Sequence, residues 1–436
     1  MPEKNPQRFA IITLGCPKNL VDSEVLQGEL QRSGFKATQD AQQADVIIIN
    51  TCGFILPARE ESIETILDAL DWKQSQDGRK VFVVGCLAER SAAELRRELP
   101  EVDFIAGVES HTEVIRQLTG NTISAAAPEK IRSLLSPPHY AYLKIAEGCD
   151  NQCSFCSIPS IRGKQRSRSI RSLLDEALYL QTAGVQELIL ISQDLTRYGF
   201  DLPGKPRLSE LLDEILRLEL FPWVRILYTN PDFWQPELLP LFRKYPQLCP
   251  YLDIPVQHAS DRVLQSMHRK SKAEYLRRLL RGIREEVPGI ALRTSVMVGY
   301  PGETETDFDA LLDLIEEIRF ERLGVFGYSA EEGTAAFALH DSVTPSQKEE
   351  RMEIVTQLQW DISREFAERQ LKRDLTVMID ELQEGQYVGR TVWDAPEIDC
   401  QVRVESGQAL IPGRRYRVTI SAVDDLDLIG TVKEAV

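Results

Sequence analysis

Three apolar, β-branched runs constrain the fold of the first part of the chain. They span residues 9–16, 44–52 and 80–86, and a shorter run follows at 102–107. Strands as apolar as these are typical of a parallel sheet that helices cover on both faces. Helix-like patterns separate the runs, so residues 1–122 are predicted to form a doubly wound α/β domain.

Each of the three main runs ends in a cysteine: Cys16, Cys52 and Cys86. The carboxyl ends of parallel strands meet along one edge of a sheet, where ligands bind. A single cysteine in such a position is usually a small core residue. Three cysteines in equivalent positions are expected to converge, and they predict a metal site with three thiolate ligands.

A second cysteine triplet lies in the sequence EGCDNQCSFCSIP, residues 147–159. Cys149, Cys153 and Cys156 have the spacing C-x-x-x-C-x-x-C. A closed zinc site needs four ligands, whereas three thiolates can hold three irons of a four-iron cluster and leave the fourth iron without a protein ligand. The alternatives are a zinc site completed by a distant ligand and a set of reduced structural thiols.

The middle of the chain, residues 139–370, repeats a strand-and-helix pattern six times. Six units predict an incomplete (βα)6 barrel, because a complete barrel has eight. The cysteine segment follows the first predicted strand, at the carboxyl face where such barrels place their chemistry. Residues 123–138 are small, polar and proline-bearing, and they are predicted to be a linker.

The last part of the chain, residues 371–436, has short alternating runs separated by glycine-containing turns. This pattern predicts a small antiparallel β-barrel of about the size of an OB-fold. It contains 8 Lys and Arg against 12 Asp and Glu. A barrel that binds tRNA should carry a basic surface, so this composition favours another substrate.

Composition limits the compartment and the partners. The formal net charge is −16, which disfavours non-specific binding to nucleic acid and suits a basic partner. The eight cysteines are not a disulfide scaffold, and neither a signal peptide nor an apolar run of membrane-spanning length is apparent. We therefore expect a cytoplasmic protein that does not bind membranes and has reduced thiols.

Three further segments are candidates for ligand binding. Gln193 and Asp194 end a predicted barrel strand and could bind sugar hydroxyls, or could only cap a helix. The sequence GYPGETE, residues 299–305, could cradle a ligand or be only a strand-to-helix turn. A basic run could bind carboxylates or be a solvated face; it comprises Arg162, Lys164, Arg166, Arg168 and Arg171.

The second cysteine triplet, with Phe155 before its last cysteine, resembles the radical S-adenosylmethionine (SAM) enzymes. The resemblance implies a [4Fe-4S] cluster on Cys149, Cys153 and Cys156, whose open iron chelates the methionine moiety of SAM. Reductive cleavage of SAM would then give a 5′-deoxyadenosyl radical. We assign SAM binding to the following residues: Phe155, Gln193, Asp194, Gly299 and Gly302. No catalytic residue is assigned beyond the cluster ligands.

The order of the three predicted domains resembles the methylthiotransferases. In that family a second [4Fe-4S] cluster, here on Cys16, Cys52 and Cys86, receives a methyl group from one SAM. The methylthio group is inserted at a C–H bond that the radical from another SAM activates. The C-terminal barrel, residues 371–436, resembles the TRAM domain, which recognises the substrate macromolecule.

Four segments resemble the ribosomal-protein branch of that family. They are LGCPKNLVDSE (14–24), EGCDNQCSFCSIPSIRGKQRSR (147–168), ISQDLTRYG (191–199) and LDIPVQH (252–258). The resemblance implies conversion of an aspartate of small-subunit ribosomal protein twelve to 3-methylthioaspartate. We also expect a monomer, an electron donor such as flavodoxin or ferredoxin, and no direct nucleic-acid binding.

Two other functions remain open at this point. One is a tRNA adenosine methylthiotransferase, which uses the same chemistry on a different substrate. The other is a non-catalytic, zinc-bearing adaptor in ribosome assembly.

Overall fold

The computed structural model describes residues 7–120 and 132–436, which form two compact units. The first unit contains residues 7–120, 132–136, 147–151 and 156–166. The second unit contains residues 137–146, 152–155 and 167–436.

A parallel sheet with helices on both faces forms most of the first unit, which confirms the predicted doubly wound α/β fold. The strand order is β2-β1-β3-β4-β5. In chain order the elements are β1 (Arg8–Thr13), α1 (Pro17–Arg32), β2 (Lys36–Ala37), β3 (Val46–Thr51), α2 (Leu56–Gln74), β4 (Lys80–Gly85), α3 (Cys86–Glu98), β5 (Phe104–Ile105) and α4 (His111–Thr119).

Two hydrophobic cores lie on the two faces of this sheet. On one face Ile48 packs in a cluster with Leu30 of α1 and Val114 of α4. On the other face Ile49 packs in a cluster with Ile66 of α2. Because successive side chains of a strand point to opposite faces, burial of both faces requires the continuous apolar runs seen in the sequence.

Six strands of the second unit confirm the predicted partial barrel, and they form two parallel sheets of three strands each. The elements that follow α4 are β6 (Tyr140–Lys144), β7 (Ala146–Glu147), α5 (Ile158–Arg162), β8 (Arg166–Ser167), α6 (Ile170–Thr182), β9 (Glu187–Ile191), α7 (Leu208–Arg217), β10 (Trp223–Ile226), α8 (Leu239–Lys244), β11 (Tyr251–Asp253), α9 (Asp261–Ser266), α10 (Ala273–Glu286), β12 (Ala291–Val298), α11 (Glu305–Ile318), β13 (Arg322–Gly327) and α12 (Pro345–Glu368).

The C-terminal strands are β14 (Asp374–Gln383), β15 (Gln386–Arg390), β16 (Val402–Glu405), β17 (Arg415–Asp424) and β18 (Asp427–Ala435). They close into a barrel in the order β14-β15-β16-β18-β17. The predicted small antiparallel β-barrel is confirmed, with one exception among its strand pairs: β16 and β18 pair in parallel. Closure causes this: β18 runs antiparallel to β17 and also takes the free edge of β16.

Buried ion pairs join this barrel to the partial barrel within the second unit. Glu187 begins β9 and accepts hydrogen bonds from Arg225 Nε at 2.7 Å and Arg390 Nη1 at 2.6 Å. Tyr251 donates to Asp399 at 2.7 Å in the same region. Glu187 and Arg225 have no exposed side-chain surface, so these charges depend on one another.

The predicted linker comprises residues 123–138, and its part up to residue 131 lies outside the described residues. At its described end, Arg132 is buried and donates from Nε to Glu24 Oε2 of α1 at 2.7 Å. The domain boundaries after residues 122, 138 and 370 stay predictions. Within residues 7–120 and 132–436, none of the helices combines the length and the apolar character that crossing a membrane requires.

Replacement of Glu187 by Gln should destabilise the second unit. The change leaves Arg225 and Arg390 buried without the carboxylate that both contact, and loss of one partner from a buried pair costs about 3–5 kcal/mol. Urea denaturation, followed by tryptophan fluorescence, measures the free energy of unfolding. Glu434→Gln is the control because Glu434 is exposed and lies 4.0 Å from Arg417; it should change that free energy by less than about 0.5 kcal/mol.

The effect of Glu187→Gln should also depend on pH. Burial raises the pKa of Glu187, but Arg390 and Arg225 outweigh burial and hold it below its ordinary value of 4.5. A lowered pKa stabilises the folded state above pH 4.5, and this contribution disappears as pH falls through the folded-state pKa. The difference between parent and variant should therefore shrink in acid; a difference that grew there would contradict the assignment.

Candidate metal centres

Parallel pairing brings the first cysteine triplet to the carboxyl edge of the sheet, as predicted. Cys52 directly follows β3, and Cys86 begins α3 directly after β4. Cys16 lies three residues beyond β1, where it is the N-cap residue of α1. The run at 9–16 is therefore part strand and part turn, which moves Cys16 to the start of a helix.

The three thiols share one electrostatic neighbourhood. Burial raises the pKa of Cys52, and negative charge on Cys16 raises it further. Burial also raises the pKa of Cys86 to about 11, and negative charge on Cys16 and Cys52 acts in the same direction. Neighbouring thiolates repel one another, so raised pKa values favour protonated thiols here, and a metal centre would bind them as thiolates by displacing their protons.

Asn19, on the first turn of α1, ties the strand ends together. Its Nδ2 donates to the carbonyl of Leu14 at 2.8 Å and to that of Thr51 at 3.0 Å. Cys86 Sγ lies 3.6 Å from its Oδ1, within hydrogen-bond distance. The sequence analysis missed this residue, although its position three residues after Cys16 was a usable signal.

Glycines give the backbone room beside the first triplet. Gly15 has φ +86°, and a Cβ there would lie 2.7 Å from Cys52 Cβ and 2.9 Å from Cys52 Sγ. A Cβ on Gly53 would lie 2.8 Å from the backbone of Leu87. Any larger residue at position 15 would therefore displace a thiol of the triplet.

Arg162, the last residue of α5, extends into the same region of the first unit. Its Nη2 donates to Asn19 Oδ1 at 2.5 Å and to Asp22 Oδ2 at 3.2 Å. Its Nη1 donates to both carboxylate oxygens of Glu147, at 2.9 and 3.0 Å. Burial disfavours the charged guanidinium, but Asp22 and Glu147 outweigh burial and raise the pKa of Arg162.

The second triplet lies on a segment that is anchored in several places. In the first unit, Cys149 N donates to the carbonyl of Gly163 at 3.0 Å. In the second unit, Ser154 Oγ donates to the carbonyl of Ser266 at 2.8 Å. Arg269 Nη1 lies 3.8 Å from Cys153 Sγ, a contact the sequence analysis did not predict.

Both triplets have the donors that an iron–sulfur cluster uses. In the described part of the chain, no group of three or more His, Cys, Asp or Glu side chains is arranged to hold a metal ion. A four-iron cluster is larger than one ion and takes one thiolate for each iron that the protein ligates. The soft donors fit such an anionic group, and at the first triplet so does the nearby Arg162 guanidinium.

Phe155, assigned to SAM binding, packs beside a core cluster of the second unit that includes Met267, Tyr300 and Tyr328. Asp194 Oδ1 caps a short 3-10 turn by accepting from Thr196 N at 3.0 Å, and its Oδ2 accepts from Asn230 at 3.0 Å. The structure thus shows the capping role that the sequence left open for Asp194. Gln193, beside it, is half-buried.

The glycine-rich turn joins β12 to α11, as its sequence predicts. Gly299 has φ +70°, and a Cβ there would lie 2.3 Å from Cγ of Lys348 on α12. Gly302 has φ +81°, and its carbonyl accepts from Arg262 Nη2 at 2.6 Å. Both glycines have local structural roles, and their assignment to SAM, like that of Phe155, Gln193 and Asp194, stays a prediction.

Three arginines of the basic run bind carboxylates of the protein itself. Arg162 contacts Asp22 and Glu147, and Arg166 pairs with Glu109. Arg168 pairs with the buried Glu176 at 2.5 Å. The run is therefore not a simple solvated face.

Three family models match the chain. The uncharacterized protein family UPF0004 matches residues 8–107, the Radical SAM superfamily matches residues 143–315, and the TRAM domain matches residues 373–432. These matches follow the order of the N-terminal sheet, the partial barrel and the C-terminal barrel.

Curated relatives match over nearly the full length. The ribosomal protein uS12 methylthiotransferase RimO of Clostridioides difficile (strain 630) is 42% identical over 437 residues, which cover 98% of each chain. The enzyme of the same name from Anaeromyxobacter sp. (strain K) is 45% identical over 439 residues, which cover 98% of this chain and 93% of that one. The chain belongs to the RimO family.

Membership in the RimO family confirms the predicted enzyme class, a radical SAM methylthiotransferase, and the resemblance from which it was inferred. It also confirms the predicted cofactors, SAM and two [4Fe-4S] clusters. The predicted assignment of Cys16, Cys52, Cys86, Cys149, Cys153 and Cys156 as cluster ligands stays a prediction.

Solved structures share the fold. The radical SAM methyltransferase TsrM from Kitasatospora setae, with tryptophan and a SAM analogue bound, has a TM-score of 0.56 at 13% identity and covers 82% of this chain and 89% of that one. The cobalamin-dependent SAM radical enzyme OxsB, with SAM bound, has a TM-score of 0.52 at 13% identity and covers 82% of this chain and 58% of that one. At this level of identity the likeness concerns the fold alone.

Replacement of Gly15 by Ala should remove the cluster of the first triplet. The added Cβ would displace Cys52, whose Sγ would lie 2.9 Å away. The reconstituted variant should therefore hold about four irons per chain, where the parent holds about eight. Iron and acid-labile sulfide analysis measures this loss.

Gly34→Ala is the matched control. Gly34 has φ +92°, close to that of Gly15, but a Cβ there would meet nothing within 4 Å. Both variants therefore suffer a similar backbone strain, of about 1–2 kcal/mol, and only Gly15→Ala should lose iron. Full iron content in Gly15→Ala would show that the cluster does not depend on the close approach at Cys52.

Proposed function

We propose that this chain attaches a methylthio group to the β-carbon of an aspartate in small-subunit ribosomal protein uS12. The observation that carries the proposal is similarity over nearly the full length, at 42–45% identity, to curated enzymes named ribosomal protein uS12 methylthiotransferase. The two cysteine triplets support it because the reaction needs two distinct iron–sulfur centres.

The proposed roles of the two triplets differ. Cys149, Cys153 and Cys156 hold the cluster that binds SAM, and Cys16, Cys52 and Cys86 hold the cluster that carries the sulfur. When bound, the two clusters and SAM would remove a hydrogen atom from the β-carbon and deliver a methylthio group to it. The chain itself contributes thiolate ligands, the neighbouring guanidinium of Arg162 and a buried anchor at Ser154.

Charge supports a protein substrate. The chain has a net charge of −16, and residues 371–436 have more Asp and Glu than Lys and Arg. A basic ribosomal protein is electrostatically complementary to such a surface. We further propose that the chain acts in the cytoplasm as a monomer, receives electrons from a flavodoxin or ferredoxin, and does not bind nucleic acid directly.

Incubation of the reconstituted enzyme with SAM, a reductant and purified uS12 tests the substrate. Mass spectrometry should show one aspartate of uS12 heavier by one CH2S unit, because a methylthio group replaces one hydrogen. Parallel reactions should contain tRNA. A methylthio group on tRNA adenosine, with none on uS12, would overturn the choice of substrate.

Triple substitutions should separate the roles of the two triplets. Conversion of Cys149, Cys153 and Cys156 to Ala should abolish formation of 5′-deoxyadenosine and leave about four irons per chain. Conversion of Cys16, Cys52 and Cys86 to Ala should also halve the iron, but 5′-deoxyadenosine should still form while methylthiolation is lost.

Cys400→Ala is the control for these substitutions. Cys400 lies in the second unit, outside both triplets, and burial raises the pKa of its thiol to about 12. Its replacement should leave iron content and methylthiolation unchanged. Loss of 5′-deoxyadenosine from both triple variants would contradict the division of roles.

A further inference from the structure

Arg162 is a buried cation whose partners outnumber it. Its side chain is 2% exposed, and Asp22 and Glu147 both bind it within the first unit. Two carboxylates around one guanidinium leave a negative sum before any thiolate is counted. Burying a charge is costly even when it is paired, so this burial is not explained by stability alone.

The guanidinium is also directed towards the first cysteine triplet. Nη2 donates to Asn19 Oδ1 at 2.5 Å, and Cys86 Sγ lies 3.6 Å from the same oxygen. Arg162 and Cys86 thus meet at one oxygen of Asn19, and the positive charge of Arg162 partly offsets the rise that burial causes in the pKa of Cys86. Asn19 in turn holds the carbonyl of Leu14, two residues before Cys16, and that of Thr51, one residue before Cys52.

The other side of Arg162 binds the start of the second cysteine segment. Nη1 binds both oxygens of Glu147, two residues before Cys149. Gly163, the next residue, accepts a hydrogen bond from Cys149 N. A single side chain therefore lies between the cysteines of the sheet edge and the backbone that presents Cys149.

We propose that Arg162 is a positioning residue for the cluster held by Cys16, Cys52 and Cys86, and that its charge raises the reduction potential of that cluster. The inference rests on the proposed function, which assigns a cluster to these cysteines. A reduced cluster carries one more negative charge than the oxidised cluster, so a nearby buried cation stabilises the reduced form.

The orientation of Arg162 makes its neighbours testable as well. Asp22 partly neutralises the guanidinium, so removal of the Asp22 charge should raise the potential. Removal of the Arg162 charge should lower it. Opposite shifts of the midpoint potential in the two variants would indicate an electrostatic role. A general loosening of the fold would give no reason for the two shifts to differ in sign.

The experiment uses the full chain with Cys149, Cys153 and Cys156 converted to Ala, so that the proposed cluster of the sheet edge is the one measured. Potentiometric titration monitored by electron paramagnetic resonance gives the midpoint potential. At a fixed potential, Arg162→Gln should lower the ratio of reduced to oxidised cluster at least tenfold, which is about 59 mV for a one-electron couple. Asp22→Asn should raise that ratio.

Two further variants complete the set. Arg162→Lys keeps the charge but loses the planar fork, so its potential should stay closer to that of the parent than the potential of Arg162→Gln. Arg116→Gln is the matched surface control, because Arg116 is 57% exposed and pairs with Glu113 at 2.9 Å on the same unit. It should leave the midpoint potential unchanged.

Each outcome decides the inference. Unchanged potentials in both Arg162→Gln and Asp22→Asn would overturn it, as would shifts of the same sign. If Arg162→Gln does not fold or load iron, the upward shift in Asp22→Asn still supports the inference, and its absence still overturns it. Absence of iron from the parent of this series would overturn the two-cluster assignment together with the inference. If the midpoint potentials shift as predicted but the unaltered enzyme does not modify uS12, only the choice of substrate is overturned.

Discussion

Parallel pairing of β1, β3 and β4 is the constraint on which the first cysteine triplet depends. Thr13 pairs with Asn50, and Thr51 pairs with Gly85, so the residues that follow these pairs lie side by side. A slip of one residue would exchange the faces of a strand and move its cysteine by about 3.3 Å along the edge. The two apolar cores prevent this slip. Hydrophobic packing therefore positions the three cysteines, although they lie outside both cores.

Charge is buried in both units, with different geometry. The Glu187 carboxylate accepts hydrogen bonds from Arg225 and Arg390, and this cluster joins the partial barrel to the C-terminal barrel. Around Arg162 one guanidinium serves two carboxylates, and thiols lie beyond them. Buried ion pairs contribute little net stability compared with apolar residues of the same size. Their value in this protein is positional, because each one specifies which segments must meet.

Local patterns in the sequence were sufficient to predict much of this architecture. Apolar runs predicted the sheet of the first unit, and six strand-and-helix repeats predicted the partial barrel. The carboxyl-edge rule predicted that Cys16, Cys52 and Cys86 would converge, although Cys16 proved to be the N-cap residue of a helix rather than the end of a strand. The radical SAM resemblance came from the local spacing of Cys149, Cys153 and Cys156, whereas the methylthiotransferase resemblance came from the order of the three predicted domains.

Long-range pairings could not be predicted in the same way. Arg162 and Asn19 are 143 residues apart, and the sequence around either residue does not indicate that the other is its partner. Arg162 therefore looked like one member of a basic run. The parallel pairing of β16 with β18 follows from barrel closure, which no single strand encodes. The sequence around Gly299 also could not show that Lys348 of α12 occupies the space that a side chain at position 299 would need.

The hydrogen bonds at the ends of the second cysteine segment close a loop with protein groups alone. Glu147 and Arg162 are 15 residues apart and are bound to each other, and Cys149 N binds Gly163. These contacts offset part of the entropy that is lost when the loop closes. In small zinc domains, by contrast, metal binding supplies this stabilisation, and metal binding and folding are a single event.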